Sequence, residues 1–317
     1  MRQHAINIAA MFLMVIAAYF PANAQEDTVR RDTIALQDSI VMSQDTTIAL
    51  LDTAIVQQDT TVAQQDTAVS NNPVLAKYHV NTAFEPGEEL CYDLKYGFIK
   101  GGELQINVFL EPVGYDYLFH VRARCYTTGM AAKIATINDI YESYFDIVNG
   151  LPMKAIRNVT ENNYKRYNED LFFQDSSVVH SMKSGRHEVS YHTFDIISAF
   201  YYARRFIFDK KYEKNETMGI DTWFDEELYH IKLKYKKTEK VKTKFGKIEC
   251  LYFVPVLDDT STFKKEDDLG AWFTNDGNYV PVEVRVKMPF ADIHCILRSF
   301  KNLKNKDGFL KESQQKE

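Results

Sequence analysis

Cysteine, tryptophan, glycine and long apolar runs are all scarce here: 317 residues hold four Cys, two Trp and 13 Gly, and the longest apolar stretch is Ile8 to Phe20. A bilayer-spanning helix takes about 18 to 20 such residues, so no transmembrane segment is expected. The glycines form no Gly-x-Gly-x-x-Gly or Walker loop, and no serine stands in Gly-x-Ser-x-Gly, so the usual phosphate cradles and nucleophile elbow are missing. No pair of cysteines reads Cys-x-x-Cys, which removes the spacing for thiol exchange or a cysteine-rich zinc site. The eight histidines are scattered; His180, His187 and His192 match no metal motif. Net charge is -6, yet residues 25–72 hold eight acidic side chains against two arginines. The rest is nearly neutral, so no nucleic-acid partner is implied. Catalytic residues, cofactors and metal ligands therefore go unassigned.

What is present begins with a leader. Arg2 and His4 precede the apolar run, and Pro21-Ala22-Asn23-Ala24 ends in a small-x-small cleavage pattern. Residues 1–24 read as a signal peptide, with no cysteine after the cleavage site to take a lipid anchor. The expected location is periplasmic or exported, and soluble after cleavage.

Residues 25–72 repeat Asp-Thr or Asp-Ser followed by a small or β-branched residue, partly at seven-residue spacing. One strong apolar side chain per repeat is too few for a coiled coil, and so little apolar surface cannot offset the entropy of ordering. The expectation is a disordered stalk. Its units also resemble a bacterial O-glycosylation sequon, which makes Thr28, Thr33, Ser39, Thr46, Thr53, Thr60 and Thr67 candidate acceptors.

From residue 73 the pattern is β. Leu90, Tyr92, Leu94 and Tyr96 alternate with polar residues, Lys100-Gly101-Gly102 is placed as the reversal, and Leu104 to Leu110 alternates again. Later segments predict about a dozen strands, including separate ones at Tyr229–Tyr235 and Val241–Phe245, with Asn275 to Asn278 as a turn. One short helix is predicted within Met130–Ile137. A stronger one spans Asp195–Phe206, with Asp195 as N-cap, Ile196, Ala199, Phe200 and Ala203 on one face, and Arg204 and Arg205 at its C-terminal end. The fold expected is mainly β: a single antiparallel domain over residues 73–300, as a curved sheet or open barrel with one or two helices. A polar tail, 301–317, follows.

Six ordered segments are shared with a known family. They are Phe84-x-Pro-Gly-Glu with Tyr92-x-Leu-x-Tyr-Gly and Gly101-Gly102, Asp139 to Asp146, Asp195 to Arg204, Phe245 to Cys250, Ala271 to Asp276, and Pro281-Val282. Together they resemble the exported bacterial family known as domain of unknown function 3108. That resemblance implies no activity or ligand; a likeness to open-barrel lipoprotein carriers of the LolA and LolB type is fold-level analogy.

Cys125, Cys250 and Cys295 share parity with apolar neighbours and are candidates for a disulfide, with buried free thiols as the alternative; Cys91 falls on the polar side of its strand. Glu142 and Asp146 fall on one strand face and Asp139 on the other, as at a solvated edge. Lysines 232, 234, 236, 240, 242, 244 and 247 form a cationic stripe that suits a solvated sheet face. Forty Phe and Tyr residues either fill a core or line an apolar cavity. The function expected is a binding or carrier-like module for a lipid, another apolar ligand or an envelope component. The alternatives are an envelope scaffold that binds a partner protein without a ligand cavity, and an enzyme whose site residues are scattered.

Overall fold

A computed structural model describes Leu75 and residues 83–256, 268–287 and 292–311. The leader, the stalk and its seven candidate acceptors lie outside the described residues. Fourteen strands make one antiparallel sheet, open at its two edges. From the middle outward run β1 (Glu89–Tyr96), β2 (Ile99–Val113), β3 (Asp116–Thr127), β4 (Asn138–Asp146), β5 (Pro152–Glu161), β6 (Tyr164–Phe173), β7 (Val178–Ser181) and β8 (Gly185–Glu188). From the other edge inward run β9 (Thr217–Phe224), β10 (Glu227–Thr243), β11 (Gly246–Pro255), β12 (Leu269–Thr274), β13 (Pro281–Val286) and β14 (Ile293–Lys301). The first strand thus pairs with the last, Leu90 lying opposite Phe300. The mainly β, single-sheet expectation holds.

Among the described residues two α-helices lie between strands of the sheet. α1 (Ala131–Ile134) is shorter than predicted because Ile137 is drawn into a β-bridge with Glu161. α2 (Ile196–Tyr202) starts where the sequence places it. The buried Asp195 carboxylate accepts from the amides of Ile197 (2.8 Å) and Ser198 (3.2 Å), while Ser198 Oγ accepts from the Asp195 amide at 3.0 Å. Such reciprocal caps contribute roughly 1 kcal/mol. Ser143 of β4 adds a 2.6 Å bond to the same carboxylate, which anchors the helix to the sheet. The segment before the helix caps the β9 edge: the Phe194 amide donates to Asp221 O at 2.9 Å, and the Trp223 amide to Phe194 O at 2.7 Å.

Several expectations need correction. The first hairpin reverses at Gly97, φ 58°, and Phe98, not at Lys100-Gly101-Gly102. Gly102 is inside β2, where a Cβ would come within 2.7 Å of the Tyr126 carbonyl. Tyr229–Tyr235 and the first part of Val241–Phe245 belong to a single 17-residue β10, which ends at Thr243 and absorbs the break in its pattern as a bulge between Tyr235 and Lys237. Cys91 keeps to the polar side of β1, as its parity suggests, yet it is buried there, its thiol beside Glu89, Ser299 and Arg298. Asp139 is 0% exposed on a strand flanked by β3 and β5, which is no solvated edge. Beyond β14, Leu303 and Leu310 are buried, so the start of the polar tail packs on the domain.

The concave side is filled by rings. Phe84 stands edge-on to Phe119 (5.0 Å between centroids) and Tyr201 (4.5 Å), with Phe145 against Phe119 at 5.5 Å. Each buried ring of this kind contributes roughly 1.5–3 kcal/mol.

Candidate functional site

Past Tyr202 the helix widens into a π-turn, Ala203–Ile207, the type of irregularity often found where a helix side chain must be re-aimed. Here it directs Arg204 inward. The guanidinium is fully buried and meets Glu88 in a two-pronged pair, Nη1 to Oε1 at 2.6 Å and Nη2 to Oε2 at 2.8 Å. Nε and Nη2 donate to the carbonyl of Asn278 at 3.1 and 2.9 Å, and Tyr201 Oη donates to Glu88 at 3.3 Å. Phe84, Phe200 and Tyr201 rings surround the cation at 5.1 to 5.7 Å. Burial lowers the Arg204 pKa, but the Glu88 charge outweighs it and the net shift is upward. Arg204 and Arg205 stand in the last turn, where the sequence places them, but Arg204 is held in a buried ion pair rather than at the helix end's carbonyls. Arg205 donates to Ile147 O at 2.6 Å, and burial brings its pKa down to about 10. The pair ties the Phe84-to-Glu88 segment, the helix and the turn before β13 together, so the helix is held against the sheet at a fixed height.

Below that helix lies a cavity of about 60 Å³. Ile106 and Ala123 of β2 and β3, Ile197 and Phe200 of α2, and Phe253 and Phe273 of β11 and β12 define its walls. Of its eighteen lining residues only Thr222 and Tyr201 have a polar side-chain atom. A void this apolar holds water poorly, and at roughly 24 cal/mol per Å³ it forfeits about 1.4 kcal/mol of packing.

A smaller recess of about 30 Å³ adjoins it, and Ile197 lines both. Its walls mix apolar side chains with polar ones: Tyr141, Arg157 and Arg166 on β4 to β6, Asp170, Trp223 on β9, and Asp225 at the β9–β10 turn. Asp225 and Glu226 both have positive φ, 52° and 70°, in a two-residue reversal where Asn-Gly is the usual choice. Their carboxylates hold the two ends of the curled sheet together. Asp225 meets Arg157 at 2.9 Å and Arg166 at 2.5 Å, and Glu226 meets Arg166 at 3.0 Å and Lys183 at 3.1 Å. Trp223 packs with Phe172 and Val179 across the same seam.

Close by, burial pushes Asp139 up to about 7, with Glu161 and Arg157 as its charged neighbours; Cys125 and Tyr141 are also near. Glu161 is raised too, again by burial. A carboxyl raised in the folded state favours folding while protonated. Stability therefore declines as pH rises from about 4, the unfolded value, towards 7, and levels off above that. Asp139→Asn keeps the acceptor for the Thr160 amide, now 3.0 Å away. It is expected to be more stable than the wild type at pH 8.5 and to lose that advantage at pH 5, in urea titrations at both values.

The remaining sequence candidates stay apart. Cys91, Cys125, Cys250 and Cys295 are buried free thiols, so Cys125, Cys250 and Cys295 form no disulfide in the structure. His187 lies against the Trp223 ring and His192 against Tyr191. Among the described residues no three His, Cys, Asp or Glu side chains are grouped to hold a metal ion. The lysine stripe runs along β10 and the start of β11. No described helix is long and apolar enough to cross a membrane.

The profile of the family described as "Protein of unknown function (DUF3108)" matches residues 91–296. Among solved structures, a β-barrel-like protein of domain of unknown function DUF1849 from Brucella abortus aligns with a TM-score of 0.47 at 9% identity, over 68% of this chain and 98% of that one. A DUF1089 family protein from Pseudomonas aeruginosa aligns with a TM-score of 0.33 at 10% identity, over 56% and 88%. No curated protein matches.

Proposed function

We propose that this chain, which belongs to the DUF3108 family of proteins of unknown function, is a binding or carrier module for a lipid or other apolar molecule, with the cavity beneath α2 as the start of a site that widens as the ligand enters. The supporting observation is the cavity itself. The sheet, the helix and the buried Glu88–Arg204 pair hold open about 60 Å³ of almost wholly apolar space where tighter packing would be more stable. An apolar ligand would restore the missing contacts and release hydration from its own surface. A solvent-exposed role, such as a scaffold for an envelope protein, gives no reason for an internal void.

Native mass spectrometry and solvent extraction of the protein purified without detergent test this. The expected result is a bound hydrophobic mass, and uptake of the apolar fluorophore N-phenyl-1-naphthylamine once that mass is removed. A folded domain that is empty and takes up no fluorophore would overturn the reading.

A further inference from the structure

Two neighbouring turns at one end of the sheet expose apolar side chains that the fold does not use. At the β1–β2 turn Phe98 is 94% exposed, Ile99 58% and Tyr96 47%. Between β3 and β4, α1 buries none of its residues, and Met130 and Ile134 at its two ends are 69% and 85% exposed. The turns stand side by side. The Thr128 amide donates to Gly101 O at 3.0 Å, and a Cβ on Gly101 would meet the Ala131 methyl at 3.8 Å. The β5–β6 turn flanks them, its Asn162 amide donating to Thr136 O at 2.7 Å, and adds the exposed Tyr164. A soluble domain rarely gathers so many exposed apolar side chains without a surface for them to meet.

Charge and shape select that surface. Residues 95–101 and 128–136 hold Lys95, Lys100 and Lys133 and no acidic residue. Lys100 is held by Asp93 and Glu103 at 2.8 and 2.6 Å, whereas Lys95 and Lys133 form no ion pair among the described residues. Side chains as free as Phe98 and Ile134 project from their turns instead of lying in a flat face. Projection suits penetration of a soft layer better than the close packing of a protein interface. Rings and aliphatic side chains with lysines among them match the boundary of a bilayer, where the apolar groups enter at headgroup level and the ammonium groups meet lipid phosphates.

We propose that this end of the sheet docks on an anionic bilayer surface, with Phe98, Ile99, Met130 and Ile134 inserted and Lys95 and Lys133 against the phosphates. Such docking is independent of the cavity reading. The test is co-sedimentation of the protein and its variants, purified from the native host without detergent, with vesicles of phosphatidylglycerol and phosphatidylethanolamine or of phosphatidylcholine alone. At low salt the wild type is expected to bind the anionic vesicles roughly tenfold more tightly than the neutral ones. Phe98→Ser with Ile134→Ser should weaken that binding roughly tenfold or more, as two apolar side chains leave the lipid. Lys95→Gln and Lys133→Gln should each weaken it about fivefold, the effect of one lysine near an anionic surface. Lys242→Gln with Lys247→Gln should leave it unchanged. Those lysines lie on the β10–β11 hairpin at the opposite end, where Phe245 packs on Phe300 beside the start of β1. Phe98→Trp should add an emission that shifts to the blue on anionic vesicles and is quenched by brominated lipid. Serine variants that bind as the wild type does, or an equal loss in the hairpin variant, overturn the assignment. So does a wild type that binds neither vesicle, including one that self-associates through Phe98 instead. Should the serine variant not fold, the Phe98→Trp emission decides, and its failure to shift overturns the insertion.

Discussion

Glu88→Ala is expected to lower the unfolding free energy by about 3 to 5 kcal/mol, the cost of leaving a buried charge unpaired. The size follows from the surroundings of Arg204. The guanidinium has no exposed surface, Phe84, Phe200 and Tyr201 wall it in, and the carboxylate it would lose holds two of its nitrogens at 2.6 and 2.8 Å. The carbonyl of Asn278 is a dipole and cannot replace a full negative charge. Arg204→Met should cost less, because it strands the carboxylate beside the Tyr201 hydroxyl, a remaining donor. The double variant Glu88→Leu with Arg204→Met should be markedly more stable than Glu88→Ala, since buried ion pairs often gain little over apolar residues of similar volume. Urea unfolding of Glu88→Leu, Arg204→Met and their double variant gives the coupling directly. Additive losses in the singles and the double would show that the two charges do not depend on each other.

Ala123→Leu is expected to separate binding from stability. Ala123 is a buried residue of β3 that lines the cavity. Its enlargement extends into empty space rather than into packed atoms. Filling such a hole commonly stabilises by about 0.5–2 kcal/mol, so the thermal midpoint should hold or rise while N-phenyl-1-naphthylamine uptake falls more than tenfold. Ile106→Ala, on the facing position of β2, is the converse. It should cost about 2–5 kcal/mol and keep the fluorophore bound, because the cavity becomes larger. A leucine variant that still takes up the fluorophore as the wild type does would place the binding elsewhere.

Much of this architecture was readable from residue order, because strands and helix starts are written locally. The alternation in β1, with Leu90, Tyr92 and Leu94 inward, and the Asp195 cap of α2 both depend on neighbours within a few positions. The turn after β1 was misplaced because a Gly-Gly pair is a stronger local signal than Gly97-Phe98, although the pair is there for close strand packing. The ion pair of Arg204 escapes sequence reading for a different reason. Its partner Glu88 is 116 positions away, and an arginine near a helix end looks like a dipole partner unless that distant contact is known. The cavity and the recess had no sequence signature at all. A void is defined by atoms that are missing, and the donors of the recess come from β4, β5, β6 and β9, brought together only when the sheet curls.

The pairing of β1 with β14 also sets a timetable for biosynthesis. Glu89 meets Lys301, so during translation at 5–20 residues per second the open edge of β1 waits on the order of 10–40 s for its partner. Through that interval Leu90, Tyr92 and Leu94 stand beside unsatisfied amides at what will become the centre of the sheet. Such an edge is a template for pairing with a neighbouring nascent chain. The two flanks can each form as local meanders, but neither is complete until the final strand is released, so the last part of the domain to be synthesised decides whether the first is protected.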